Sequence, residues 1–187
     1  MQLPAAVYEG HRSQDRRRGR VAFWLSIGLC VAALIGGAAA ALTTARGFTV
    51  PSKSMANTII PGDRIVVDRA APIHRGDVIV EQQGPNAPLD YLRRVIGLPG
   101  DHVACCDPRG RITVNGKALD ENYIYPGDPP SPTRFNITVP TGKLWLLGDH
   151  RSIAFDSRTT GPLAVQPVGR VFLVLRAGHP IFLRTLF

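Results

Sequence analysis

The chain has 187 residues, room for one domain of ordinary size. Its 22 Lys+Arg against 14 Asp+Glu leave a formal charge of +8, and only 19% of residues are charged while 44% are hydrophobic. That balance excludes an acidic disordered tail, a coiled coil and a collagen-like chain, while the basic surplus admits nucleic acid or an anionic membrane surface as partner.

Residues 1–20 form a basic tail in which Arg12, Arg16, Arg17, Arg18 and Arg20 oppose only Glu9 and Asp15. Val21 to Leu42 then carries no charged residue. At about 1.5 Å per residue a helix of that length spans roughly 33 Å, close to the hydrocarbon thickness of a bilayer. No other stretch is long and apolar enough to span, which excludes a polytopic membrane protein. Trp24 suits an interfacial anchor, and the arginines before it place the N-terminus in the cytoplasm and the rest of the chain outside. The segment 21–42 therefore reads as a transmembrane anchor in a cell membrane, with the lipid bilayer as partner. A cleavable signal peptide is the alternative, since residues 38–45 are small and Gly36-Gly37 weakens a helix; the apolar stretch exceeds the ~7–15 residues of a signal core. Either way the remainder, taken as 47–187, crosses the membrane. The tail accounts for much of the positive charge, and no nucleic-acid-binding motif is present, so nucleic acid is not expected as a partner.

Beyond residue 47 the pattern is short strands punctuated by Gly and Pro. Arg64 to Asp68 follows Pro61-Gly62-Asp63, Asp77 to Val80 follows Arg75-Gly76, and Tyr91 to Ile96 ends in Gly97-Leu98-Pro99-Gly100. Arg111 to Val114 runs into Asn115-Gly116, the strongest short hairpin signal. Phe135 to Val139, Lys143 to Leu147 and Arg170 to Leu175 are the later runs, and Pro126, Pro129, Pro130 and Pro132 mark a loop before them. No window shows a sustained helical period. The expected fold is all-β, a barrel-like domain of short antiparallel strands preceded by one transmembrane helix. Three cysteines cannot make a disulfide framework, and an ordinary bridge between the neighbours Cys105 and Cys106 would be strained. Cys30 reads as a packing residue, and Asn136-Ile137-Thr138, which matches a glycosylation sequon, as a plain strand.

Four blocks carry the chemistry: Val50-Pro51-Ser52-Lys53-Ser54-Met55, then Pro61 to Val67, then Tyr91-Leu92-Arg93-Arg94-Val95-Ile96-Gly97-Leu98-Pro99-Gly100-Asp101, and finally Leu147-Gly148-Asp149-His150-Arg151-Ser152-Ile153-Ala154-Phe155-Asp156-Ser157-Arg158. In this order, after one N-terminal anchor, they resemble the bacterial type I signal peptidase family over residues 20 to about 175, and the Cys105-Cys106 pair with the hairpin after it resembles the actinobacterial branch. The resemblance implies a membrane-anchored serine endopeptidase that removes signal peptides from exported preproteins after Ala-x-Ala sites. It implies Ser54 as nucleophile, the Ser52 hydroxyl and the Ser54 N–H as oxyanion hole, and Met55 at the substrate cleft. Asp149, Arg151, Asp156 and Arg158 would buttress the site by paired charges. No metal is expected, because no His/Cys/Asp/Glu cluster has ligand spacing, and no cofactor, because no phosphate loop occurs.

The sequence departs from that pattern where the base should be. The family's lysine position is Arg93, and the serine that orients the lysine is Ala154. Lysine, ordinarily at about 10.4, must come down by about 3.4 to act near pH 7, which burial can supply; arginine starts well above lysine and must come down much further, which burial does not supply. A serine hydroxyl is a poor nucleophile until something accepts its proton. Arg93 occupies the base position without serving as base. Asn57 stands where the pattern has proline, and His150 where asparagine is common. His150 is the alternative base, His102 a weaker one, and His74 and His179 read as surface residues. Two functions stay open: a signal peptidase with impaired activity, or a catalytically silent membrane-tethered paralogue that binds signal peptides or a secretion partner. The self-cleaving repressor proteases, which share a serine–lysine β fold, are disfavoured by the anchor.

Overall fold

The structure, a computed structural model, describes residues 23–34, 36, 45–82, 90–164, 166–176 and 179–182. The basic tail and parts of the expected anchor at 21–42 lie outside these residues. Residues 23–34 are helical (α1), in a unit spanning Met1–Thr43; the second compact unit is Thr44–Phe187. Among the described residues no helix is long and apolar enough to cross a membrane.

The second unit is built of antiparallel strands. In chain order they are β1 (Ala45–Thr49), β2 (Arg64–Asp68), β3 (Val78–Gln82), β4 (Asp90–Gly97), β5 (His102–Cys105), β6 (Ile112–Val114), β7 (Lys117–Ala118), β8 (Phe135–Thr138) and β9 (Trp145–Leu147). A single helical turn, α2 (Ser157–Thr160), then precedes β10 (Gln166–Arg176) and β11 (His179–Phe182). The larger sheet runs β1-β2-β10-β3-β4-β9 with β11 on β10, and the smaller runs β7-β6-β5-β8. Among the described residues the strands form two antiparallel sheets. The expected runs all become strands. Missed were β1, whose pairing of Ala45 with Asp68 starts the sheet two residues before 47, and β5, β7 and β11, which are short or follow turns closely.

Strand alternation explains the core. On β2, Ile65 and Val67 point inward while their neighbours are partly or fully exposed. They pack with Val50, Met55, Ile59, Val78, Val80, Val171 and Val174. Between the sheets a second cluster gathers Ile96, Val103, Cys105, Ile112, Val114, Val139, Trp145 and Leu147. Ile79, Val95 and Leu146 form a third. Strands β3, β4 and β9 thus bury both faces, which is why Val78-Ile79-Val80 and Trp145-Leu146-Leu147 are continuous apolar runs. Gly97 is required where the sheets meet: a Cβ there would lie 2.6 Å from Val103 Cγ2 and 3.2 Å from Trp145 Cβ.

Two turns follow the expected chemistry. Asn115 and Gly116 take φ of 52° and 78°, the left-handed pair of a type I′ hairpin. In Gly97-Leu98-Pro99-Gly100-Asp101, Asp101 accepts the Leu98 N–H at 2.8 Å, the Asn115 amide at 2.8 Å and a two-point contact from Arg75 at 2.6 and 2.7 Å. Burial alone would raise the Asp101 carboxyl; these donors hold it down to about 2. Cys105 and Cys106 are joined by a disulfide, their Cα atoms 3.0 Å apart.

Candidate active site

Residues 51–60 leave β1 and fold into a tight loop instead of continuing as a strand. Ala56 N donates to Lys53 O at 3.0 Å and Ile59 N to Met55 O at 2.9 Å, making a helical turn that starts at Ser54. Met55 is the anchor of this turn. It is fully buried among Val50, Ile59 and Ile65, so it forms the floor under the loop and not an open surface. Asn57 takes φ of 20°, a value the proline ring, fixed near −65°, forbids. Ser54 is half-buried, and its Oγ shares a hydrogen bond of 3.1 Å with the Oγ of exposed Ser52.

The loop docks on the chain leaving β9. The Ser54 carbonyl accepts the His150 N–H at 3.0 Å. Gly148 makes this approach possible, because a Cβ there would lie 2.7 Å from the Ser54 carbonyl oxygen and would collide with the Cβ of Ala154. Ser54 is therefore brought against Gly148 and Ala154 from two separate sequence blocks.

The buried charged residues of this region, Arg93, Arg94, Asp149, Arg151 and Asp156, all have partners. Asp149, fully buried, receives Arg94 Nε at 2.9 Å and Nη2 at 2.7 Å, and also the Thr58 hydroxyl, so the 51–60 loop, β4 and the 148–158 segment meet on one carboxylate. Arg94 also donates to Gly76 O at 2.7 Å and lies 4.0 Å over the Tyr123 ring. Arg151 donates to Gly148 O at 2.9 Å and to Glu121 at 2.6 Å. Asp156 caps α2 by accepting Arg158 N, binds the Arg158 guanidinium at 2.8 and 2.7 Å, and receives Gly148 N at 3.0 Å. Burial, then the Glu121 carboxylate beside it, pushes the Tyr123 hydroxyl well above its ordinary value.

Arg93 and Arg94 are adjacent on β4, so their side chains leave on opposite faces. Arg94 goes to Asp149. Arg93 is 2% exposed and donates Nη1 to Glu81 and Nη2 to the Phe155 carbonyl, with its guanidinium 4.7 Å over the Tyr91 ring. Burial pushes Arg93 down to about 10, opposed by Asp156, which leaves it protonated at neutral pH. No hydrogen bond joins Arg93 to the Ser54 hydroxyl among the described residues.

His150 is engaged elsewhere. Its ring stacks on Tyr125 with centroids 3.9 Å apart, Nδ1 lies 3.3 Å from the Lys53 carbonyl, and Nε2 lies 4.0 Å from Asp128. Neither ring nitrogen is hydrogen-bonded to the Ser54 hydroxyl among the described residues. His102 Nε2 is held by Asn136 at 2.6 Å on the smaller sheet. Among the described residues no group of three or more His, Cys, Asp or Glu is placed to hold a metal ion.

Sequence reasoning missed Glu81, Glu121 and Thr58. Glu81 had a visible signal: a lone acid at the end of an apolar strand run, in phase with buried Ile79. Placing it next to Arg93 needed the β3–β4 register, in which Ile79 opposes Arg93 and Glu81 opposes Tyr91.

The family described as signal peptidase, peptidase S26, matches residues 21–175. A signal peptidase I of Bacillus caldolyticus is 34% identical over 175 residues, covering 84% of this chain and 91% of the relative. One of Leptolyngbya laminosa is 37% identical over 123 residues, 60% of this chain and 59% of the relative. A probable signal peptidase I-2 of Synechocystis is 32% identical over 161 residues, 80% of this chain and 72% of the relative. Among solved structures, a signal peptidase I from Enterococcus faecalis aligns with a TM-score of 0.43 at 27% identity, covering 52% of this chain and 96% of that one.

Proposed function

The chain belongs to the signal peptidase family, peptidase S26, and we propose that it is a signal peptidase I-like membrane serine endopeptidase whose turnover is impaired. In this reading Ser54 attacks the scissile carbonyl, and the Ser52 hydroxyl with the Ser54 N–H stabilises the oxyanion. The substrates are exported preproteins cut after Ala-x-Ala, presented to a domain tethered outside the membrane by the segment 21–42, with the N-terminus cytoplasmic. The uncharged stretch from Val21 to Leu42 and the helix at 23–34 support that anchor.

The observation that carries the impairment is the state of Arg93. Its guanidinium is buried and protonated at neutral pH and donates to Glu81 and to Phe155 O, so it has no lone pair for the Ser54 proton. The methyl of Ala154 offers no hydroxyl to orient a base. Loss of one member of a serine-protease catalytic set costs about 10⁴–10⁶ in turnover, with a remnant from the oxyanion hole and binding. The second reading, a silent paralogue that binds signal peptides or a secretion partner, is favoured by the engagement of His150 with Lys53 O, Tyr125 and Asp128, which leaves no replacement base in hand.

The test incubates the full-length protein in detergent micelles with a preprotein bearing an Ala-x-Ala site, from about pH 7 to about pH 10. Wild type is compared with Ser54→Ala, His150→Ala and Arg93→Lys/Ala154→Ser. The expected result is trace cleavage abolished by Ser54→Ala and enhanced in the double variant. Binding without any cleavage in wild type establishes the silent reading. Robust wild-type cleavage that disappears in His150→Ala refutes impairment and makes the imidazole the base.

A further inference from the structure

Arg93 and Glu81 are each other's buried partners. Arg93 is 2% exposed and Glu81 fully buried, and Arg93 Nη1 donates to Glu81 Oε1. They sit diagonally across β3 and β4, on the same face, two residues apart along each strand. A carboxylate at the end of Val78-Ile79-Val80, inside the sheet, is costly unless a cation answers it. The second oxygen of Glu81 has no partner among the described residues, so it can still accept a hydrogen bond.

Among the other described groups around Arg93, Asp156 adds negative charge through space but makes no hydrogen bond to the guanidinium. From β3 the remaining neighbour is Ile79, which is apolar, and from β4 it is the Tyr91 ring. From the 154–158 segment come the neutral Phe155 carbonyl and Asp156, whose two oxygens are occupied by Arg158, Gly148 N and the start of α2. Glu81 is the anion fitted to position 93.

Resting on the reading that position 93 is the base seat for Ser54, we propose that Glu81 is a positioning residue that holds whatever base stands there in its cationic form. The loss of the base then involves three residues: Arg93, Ala154 and Glu81. A general base must be neutral at working pH. Burial lowers a lysine toward that state, but an adjacent carboxylate opposes it by about one to three pH units. Lysine placed at 93 with Glu81 intact stays an ammonium ion at neutral pH and loses its proton only toward the alkaline end; with Glu81 neutralised, burial brings that loss to lower pH.

Two readouts on the full-length protein in micelles test this. In the first, 15N/13C-lysine NMR follows the titration of the lysine introduced by Arg93→Lys, distinguished by its absence from wild type, which has Lys53, Lys117 and Lys143. Adding Glu81→Gln is expected to lower its proton affinity at least about tenfold. Glu81→Leu, which continues the apolar run, serves as the second variant should the glutamine protein fail to fold. In the second, the acidic limb of preprotein cleavage by Arg93→Lys/Ala154→Ser should move down with Glu81→Gln by the same amount. A lysine titration unchanged by removing the Glu81 charge overturns the proposal, as does an unmoved acidic limb in variants that cleave. A shifted titration without cleavage at any pH upholds the role of Glu81 and instead refutes Ser54 as nucleophile. A packing role alone would alter stability and leave both pH readouts in place.

Discussion

Replacing Asp149 with alanine removes the acceptor of a guanidinium that water does not reach. Arg94 is 1% exposed and Asp149 fully buried, and two N–H groups at 2.7 and 2.9 Å end on the carboxylate. Breaking such a pair from one side costs about 3–5 kcal/mol, because an uncompensated buried charge remains. At roughly 2–4 °C per kcal/mol for a chain of this size, Asp149→Ala should lower Tm by roughly 6–20 °C. The companion Asp149→Ala/Arg94→Leu removes the stranded charge, and paired apolar replacement is often near neutral. Its recovery will be partial, since Gly76 O loses the Arg94 donor and the Tyr123 ring loses its cation. Urea unfolding followed by the fluorescence of Trp145, 4% exposed, measures all three variants with Arg94→Leu completing the cycle. A single-variant cost under about 1 kcal/mol, typical of exposed pairs, refutes the reasoning. So does a double variant as unstable as the sum of the singles.

Gly148→Ala should disturb the Ser54 loop beyond its effect on stability, because the added Cβ falls 2.7 Å from the Ser54 carbonyl oxygen; loss of the slowed exchange of the His150 amide, which donates to that oxygen, is the readout. Gly97→Ala overpacks the layer between the sheets and should cost about 1–3 kcal/mol in urea unfolding. Acid should weaken the fold through Asp101. Its folded value, about 2, lies below the ordinary 3.8, so its contribution is complete above about pH 4 and is lost as pH falls through about 2. Asp63, opposed by burial but lowered by Arg176 and the Ile60 N–H, acts with the same sign. Asp101→Asn should flatten the fall in urea midpoint with decreasing pH; an unchanged acid limb would show that Asp101 does not carry it.

What was legible depended on neighbours in the chain. The runs Arg64 to Asp68 and Phe135 to Val139 alternate with the period of a pleated strand, and Asn115-Gly116 supplies the left-handed dihedrals of its turn. Nothing in the four blocks says how their charges are matched. Asp149 stands beside Arg151 in sequence, yet it pairs with Arg94, while Arg151 turns to Glu121.

Strand positions, turns and the absence of a neutral base at position 93 were thus decided by the sequence itself, since side-chain period, glycine freedom and guanidinium basicity are local properties. The partner of each buried charge was decided by the tertiary structure. Glu81 meets Arg93 only after β3 and β4 settle into register, and Asp149 meets Arg94 only after β9 pairs with β4. A charge excluded from water must find an opposite one within a few ångströms, and that distance is set by the packing of strands far apart in the chain.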